Sequence, residues 1–464
     1  MSVPPAPSSE EVPAPAGELR PWATHMRGTL SLGLPLVFTL LLQMAIGVVD
    51  TVMVGWLGVA DLAGGVLAFQ AFFVVSIFAL GFAQAMSPVV ANAIGAGDPV
   101  SARRAARMLI WSVGLLALLF TVLLGRTEAL FLLLGQDPET AAKADAYLAV
   151  VRIAMLANFV LYALRALMAA VEDTVPIVVM MIVLTLLNAA LNWALIFGNW
   201  GAPALGLEGA AWASAISLIV VAIGGLIYAR FARSMADMAL TTRFWRPDWS
   251  ALAKVWRLGL PVTVMILAEA GLFSAASLMV GLIGTVELAA HGIALQLASI
   301  AFMVPLGISQ AASVRVGSAD GRTGRLDAAR AGRVSIAIGL AFAGLSALIF
   351  LLVPEPMILA FLDEGETARD AVLAVAVPML AMAAAFQLFD TLQVTAAGAL
   401  RGLQDMRVPM WIATIAYWGL GLPAGWWLAF HAGFGATGVW GGLVVGLAAA
   451  ALLLTLRFER LVRV

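Results

Sequence analysis

The sequence predicts an all-α polytopic membrane protein whose twelve transmembrane helices form two six-helix lobes, related by a pseudo-two-fold axis along the membrane normal. Three observations lead there. Of the 464 residues, 62% are hydrophobic and 11% charged, too little charge to keep the surface of a soluble chain of this length wet. Apolar stretches of bilayer-crossing length recur between breaks at Gly, Pro and charged clusters. The second half of the chain also repeats the first.

Taken in order, the crossings are expected near 29–57, 62–90, 107–126, 141–170, 174–198, 206–230, 254–283, 287–314, 330–353, 368–400, 407–431 and 435–457. Orientation follows from Arg and Lys, which stay in cytoplasmic connections. With both termini inside, 22 of the 26 fall on that side, from Arg20, Arg27 and the Arg103, Arg104, Arg107 cluster, through Arg165 at a helix end and Arg243, to Arg463. Arg126, Lys143, Arg152 and Arg369 fall on the far side or in its helices. An odd number of crossings spoils this alternation. The far side carries acids instead, at Asp137, Glu139, Glu355, Asp363, Glu364 and Glu366.

The expected organisation is a disordered cytoplasmic tail over 1–22, an amino-terminal lobe over 23–231, a cytoplasmic linker over 232–253 and a carboxy-terminal lobe over 254–464. The tail is rich in Pro, Ser, Ala and Glu and lacks the basic start and apolar stretch of a signal peptide. The implied location is the cell's inner (plasma) membrane.

A shift of 226 residues lays the halves on each other. Gly33-Leu34-Pro35 meets Gly259-Leu260-Pro261, Met53-Val54-Gly55 meets Met279-Val280-Gly281, and Gly81 and Gln84 meet Gly307 and Gln310. With a few residues' slip, Asp173 and Pro176 meet Asp405 and Pro409. Because six is even, both copies enter the membrane from the same side, so the repeats are parallel and enclose a cleft between lobes. Rocking one lobe against the other is the plan of a carrier; Pro35, Pro176, Pro261, Pro305 and Pro409 read either as hinges for that motion or as static kinks.

Within this scaffold the membrane acids do not repeat. Glu269 falls opposite Gln43, Asp50 opposite Ala276, and Asp390 close to Asn158. An acid deep in hydrocarbon is costly and marks function. Glu269 and Asp390, if they face each other, hold a proton near neutral pH and bind a cationic substrate in competition with it; the structural alternative is a pair satisfied by Arg152 or backbone donors. Asp50, Asn188 and Asn192 place oxygens at one depth, suited to a proton or to Na⁺, a hard cation; the alternative is interhelical hydrogen bonding. His291 reads as polar packing, and Gly441, Gly442 and Gly446 as close helix contact.

The chain has no cysteine and three scattered histidines, which excludes disulfides, thiolate catalysis and an evident metal site. Its net charge of −1 gives no sign of nucleic-acid binding.

These residues resemble the multidrug and toxic compound extrusion (MATE) family, in its NorM-like branch. The resemblance rests on Val49-Asp50-Thr51-Val52-Met53-Val54-Gly55, Asn188-Ala189-Ala190-Leu191-Asn192, Glu269-Ala270, Ala289-Ala290-His291, Phe302-Met303-Val304-Pro305-Leu306-Gly307, Gln387-Leu388-Phe389-Asp390 and Leu400-Arg401-Gly402-Leu403-Gln404-Asp405. It implies a monomeric exporter of small organic cations or amphipathic drugs, driven by inward H⁺ or Na⁺ and using no other cofactor. It also implies an ion-linked acid at Asp50 with Asn188 and Asn192, and an acidic pair at Glu269 and Asp390. One departure bears on the ion: where some sodium-coupled members carry tyrosine, this chain has Phe386, which favours H⁺. Two rivals remain. A lipid-linked precursor flippase is expected to line its cleft with basic residues, and Arg152 is the one read inside a span. An intramembrane enzyme is expected to gather acids, bases or metal ligands at one membrane face.

Overall fold

The computed structural model describes residues 19–463 apart from 239, 241–243 and 364–367; residues 1–18 of the expected tail, Arg243, Glu364 and Glu366 lie outside the described residues. The first half comprises α1 (Trp22–Gly55), α2 (Val59–Gly95), α3 (Pro99–Leu123), the short α4 (Thr127–Leu133), α5 (Pro138–Val151), α6 (Met155–Ala170), α7 (Val175–Phe197) and α8 (Leu207–Phe231). The second comprises α9 (Trp249–Gly281), α10 (Thr285–Thr323), α11 (Arg325–Leu352), the short α12 (Pro354–Leu359), α13 (Arg369–Gly402), α14 (Arg407–Thr414), α15 (Leu422–Phe430) and α16 (Gly435–Val462). A 3₁₀ turn, Arg152–Ala154, joins α5 to α6 within one crossing, and a π-helical segment, Ile415–Gly421, joins α14 to α15 within another.

Helix starts follow local chemistry. Asp98 and Asp137 each cap a helix by accepting backbone N–H bonds, with Pro in the first turn; Asp248 caps α9 by accepting from Ala251. Pro176 likewise sits in the first turn of α7, where it starts a helix instead of bending one, whereas Pro35, Pro261 and Pro305 lie inside helices. The tail reading needs one correction. Trp22 already belongs to α1, and the Arg20 N–H donates to Asp327 at 3.1 Å, so the last residues before the helix are tied down.

Among the described residues eleven helices are long and apolar enough to cross a membrane. The twelfth crossing, expected over 407–431, is the broken one, assembled from α14, the π segment and α15. Its wide turn is held by close approach. Gly421 and Gly425 lie backbone to backbone against Gly442 and Gly446 of α16, where an added Cβ has no room. Trp418 Nε1 donates to the Ala268 carbonyl at 3.1 Å, pinning the segment to α9.

The repeat is visible in the helix starts. Val59 and Thr285 open α2 and α10, and Pro99 and Arg325 open α3 and α11, both pairs 226 apart. Glu172 and Gln404, 232 apart, both leave their helix in the left-handed region, at φ 58° and 59°, a conformation costly for a side-chain-bearing residue. The N–H of each following Asp closes the cap onto a carbonyl five residues back, at 3.0 Å in both cases. Asp173 then accepts from Tyr228 and Asp405 from Arg457, so each loop is tied to the last crossing of its own lobe.

Buried apolar side chains form two main clusters, one drawn chiefly from the first half and one from the second. The lobes meet at the end of the bundle that carries both termini. There Gly33 packs on Ile308 and Ala311, Gly259 on the Phe82 ring, and Gly317 on the Pro88 carbonyl. Among the described residues, the side-chain hydrogen bonds that cross between lobes fall at this end. His25 bonds Asp327 at 3.0 Å, Thr29 bonds Ser335 at 3.3 Å, and Asn92 donates to Asp320 and the Gly317 carbonyl. Arg315, buried in α10, donates to both oxygens of Glu172 at 3.0 and 3.2 Å. The lobes are therefore sealed at the terminal end.

Candidate functional site

In the amino-terminal lobe Asp50 stands five residues before the end of α1, opposite α7. The Asn192 amide donates to the Asp50 carboxylate at 2.5 Å and to Asn188 Oδ1 at 3.2 Å, and Asn188 donates to Ser214 at 3.2 Å. Tyr147 OH lies 3.5 Å from the same serine. Asp50, Asn188 and Asn192 are all buried, and Asn192 Oδ1 keeps an unused acceptor. The three residues expected to act together are thus one network; helical spacing put both asparagines on one face of α7.

The network borders an open cavity of about 410 Å³ lined by residues of the first half alone. Phe69, Phe72 and Phe73 supply aromatic wall, and Asp50, Gln70, Asn158 and Arg165 supply polar groups. Arg165 does not sit at a helix end as expected: it lies five residues inside α6 and faces this cavity. Its Nη1 donates to Gln43 Oε1 at 3.0 Å, its guanidinium lies 5.8 Å from the Tyr162 ring centroid, and Gln43 Nε2 donates to Tyr162 OH at 3.1 Å. Arg152, by contrast, is turned back onto the Ala149 carbonyl of its own helix. The expectation that Arg152 is the one base inside a span is corrected: Arg165 lies in the same span and is the one that faces the cavity, and Arg401 is buried within α13.

In the carboxy-terminal lobe the structure brings Glu269 of α9 within electrostatic reach of Asp390 of α13. Arg401 lies within reach of Glu269, and Tyr417 of the π segment within reach of both acids. Asp390, Arg401 and Tyr417 are buried and Glu269 is partly so. Arg401 Nη2 donates to Ser309 at 2.9 Å, while its Nε, Asp390 Oδ1, the Tyr417 hydroxyl and both ends of the Gln387 amide find no partner among the described residues. Buried polar groups left this way are costly. Phe386 stands against Trp440 and Phe273 in edge-to-face contact; the hydroxyl it lacks is brought to the acids by Tyr417 from another crossing. Nearby, Trp440 Nε1 donates to His291 Nδ1 at 3.2 Å, so Nε2 carries the proton toward Ser277 at 3.0 Å. His291 is a packing residue, as expected.

Sequence reasoning missed Gln43, Tyr162, Arg165, Arg401 and Tyr417. One signal was available: the chain has four tyrosines, and three of them, Tyr147, Tyr162 and Tyr417, stand at these polar clusters. Outside the membrane, Arg104 donates to Asp248 at 2.5 Å and holds its carboxyl well below the usual carboxylate range, tying α3 to the cap of α9. Among the described residues no group of three or more His, Asp or Glu is placed to hold a metal ion.

Two repeated six-crossing lobes, sealed at one end and carrying buried acids in each, define a membrane transporter. The sequence matches the MatE family twice, over residues 35–194 and 261–427, two segments that begin 226 residues apart. The chain belongs to the MatE family. It is 46% identical to the "Probable multidrug resistance protein NorM" of Rhizobium meliloti (strain 1021), covering 95% of each chain, and 44% identical to the protein of the same description in Agrobacterium fabrum, covering 98% of this chain and 97% of that one. Its fold is that of a solved structure described as the "outward-facing conformation of a multidrug resistance MATE family transporter". The TM-score is 0.86 at 19% identity, covering 96% of this chain and 99% of the other.

Proposed function

We propose that the protein exports small organic cations or amphipathic drugs by alternating access, in exchange for H⁺ or, as the second choice, Na⁺. The relatives described as multidrug resistance proteins support the substrate class. The observation that carries the exchange is the pair of acids Glu269 and Asp390, within electrostatic reach of each other. Two neighbouring carboxylates do not both stay charged unaided in a place where charge is expensive, which leaves a negative charge to be neutralised. A proton, a sodium ion or a substrate cation each neutralises it, and only one does so at a time. Competition for one charge is what antiport requires. Asp50 with Asn188 and Asn192 forms a second ion-linked site.

The basic residues concentrate at the terminal end, which supports cytoplasmic termini and an inner-membrane location. With that orientation the sealed end faces the cytoplasm and the arrangement is the outward-open half of the cycle of a monomeric carrier. A flippase would be favoured by several bases around the cavity; Arg165 is the one that lines it.

The test is efflux of a fluorescent organic cation from proteoliposomes under a pH gradient alone and a Na⁺ gradient alone. Efflux driven by the pH gradient and lost in Glu269→Gln is expected. Efflux under the Na⁺ gradient alone reassigns the ion; efflux under neither overturns the proposal.

A further inference from the structure

The repeat supplies the sealed end with two related interfaces between the lobes, and they are unlike. In one, α1 and the loop after α6 meet α10 and α11: His25 bonds Asp327, and Arg315, lying against Gly28, donates to Glu172. In the other, the shift of 226 residues puts Ala251 in place of His25, Lys254 of Gly28, Val89 of Arg315, Ser101 of Asp327 and Arg104 of Arg330. Gln404 stands in place of Glu172, at the matching left-handed turn. All of these counterparts line a single cavity of about 340 Å³, bordered by α2 and α3 of one lobe and by the start of α9 and the Gln404 turn of the other. Charged side chains fill the first interface; smaller or neutral ones leave the second hollow. The second also carries two bases and neither of the acids. Its neighbouring carboxylates are spent elsewhere, Asp248 on Arg104 and the cap of α9, and Asp98 Oδ1 on the backbone N–H groups of Val100 and Ser101. Lys254 has no ion-pair partner among the described residues.

We propose that this cavity binds a phosphate group, which supplies between the lobes the negative charge that Glu172 and Asp327 supply in the other interface. Lys254 meets it as a point charge and Arg104 with charge-assisted N–H bonds, the strong kind. The hydroxyls of Ser101 and Ser250 and the Gln404 amide add donors from other directions, which suits the spread oxygens of a phosphate, while Met86, Val89 and Ala93 receive the carbon beside it. The headgroup of an anionic phospholipid and a soluble phosphate ester both present this group, and the experiment separates them. An occupant touches both lobes, so it favours the sealed arrangement over one in which they part. The assignment depends neither on the coupling ion nor on the exported substrate.

The test uses the full, cysteine-free chain in detergent micelles. A thiol introduced as Ala96→Cys lies at the exposed rim of the cavity, and its alkylation by a soluble maleimide reports access. Two additions are compared: inorganic phosphate against chloride at equal ionic strength, and phosphatidic acid in mixed micelles against phosphatidylcholine. At least one of them is expected to slow alkylation about tenfold or more at saturation. Protection by inorganic phosphate supports the site as one for soluble phosphate esters; protection by phosphatidic acid alone supports it as one for a lipid headgroup. Lys254→Gln is expected to weaken the protecting ligand about tenfold. Gln404→Glu restores the acid of the other interface; it is expected to pair with Lys254, remove the protection and raise the melting temperature without phosphate. Alkylation slowed by neither addition overturns the proposal, and so does protection that survives both variants undiminished.

Discussion

The two lobes differ in what they place at one matching position. Position 43 of the amino-terminal lobe corresponds to position 269 of the carboxy-terminal lobe: Gln43 hydrogen-bonds Arg165 and Tyr162 of α6, whereas Glu269 stands within electrostatic reach of Arg401 of α13 and of Tyr417 of the π segment, a different crossing. Where the residue is Gln43, the arginine keeps its charge for whatever enters the cavity. Where it is Glu269, the acid stands within electrostatic reach of a second acid, Asp390, and the pair is there to take a cation. The acid missing from position 43 reappears two turns along as Asp50, held by asparagines and not by a base. One lobe thus separates its charges and the other groups them, so a duplicated scaffold provides two unlike sites.

The most drastic way to break this contrast is Glu269→Gln, which gives the carboxy-terminal lobe the amide of the other. Gradient-driven efflux is expected to fall at least about tenfold, the factor that ~1.4 kcal/mol of lost cation binding produces. Initial rates in proteoliposomes check it. Gly442→Ala attacks the feature that has no counterpart in the first lobe, the π segment and its backbone contact. A methyl driven into Gly425 is expected to destabilise the protein by about 1–3 kcal/mol, read as a lowered melting temperature in detergent, and to weaken coupling by displacing Tyr417.

A smaller effect is expected at the seal between the lobes. Arg315→Gln removes the ion pair with the half-exposed Glu172, worth about 1 kcal/mol after allowance for solvent, and so shifts the balance between sealed and open terminal ends about fivefold. The cysteine-free chain allows a direct reading. A thiol introduced as Ala311→Cys, under Gly33, is expected to be protected from a membrane-impermeant maleimide applied at the terminal end, and to react several times faster once Arg315 is changed.

The smallest effect lies outside the membrane. Arg104 depresses the Asp248 carboxyl, so the pair's stabilisation is complete above the ordinary carboxylate range and is lost as pH falls through the lower folded value. Arg104 is nearly half exposed, at 47%, so Asp248→Asn is expected to cost less than about 1 kcal/mol. It is also expected to flatten the acid limb of a melting-temperature profile and leave the neutral region almost unchanged.

The parts of this arrangement that were legible in the sequence are those written in periodicity and in pairs. Crossings follow from apolar length, the repeat from Gly33-Leu34-Pro35 against Gly259-Leu260-Pro261, and the Asp50, Asn188 and Asn192 network from helical spacing plus the rarity of acids in apolar stretches. The rest depends on how each helix is rotated about its axis, which a uniformly apolar sequence does not record. Arg165 counts as an end-of-helix base by its position along the chain, five residues before Ala170, and becomes a cavity residue because α6 turns it inward beside Gln43. Tyr417 sits in a stretch that reads as ordinary helix. Glycines on two different crossings, Gly421 and Gly425 with Gly442 and Gly446, bring α16 close enough to widen that turn, and no local pattern announces it.

The central claim is that the Glu269 and Asp390 cluster holds one exchangeable charge. The most direct measurement is proton release when an organic cation binds the purified protein in weakly buffered detergent solution near neutral pH. The account predicts release of about one proton per bound cation, lost when Glu269→Gln and Asp390→Asn are combined. Saturable binding with no proton released, or release unchanged in the double variant, would contradict it.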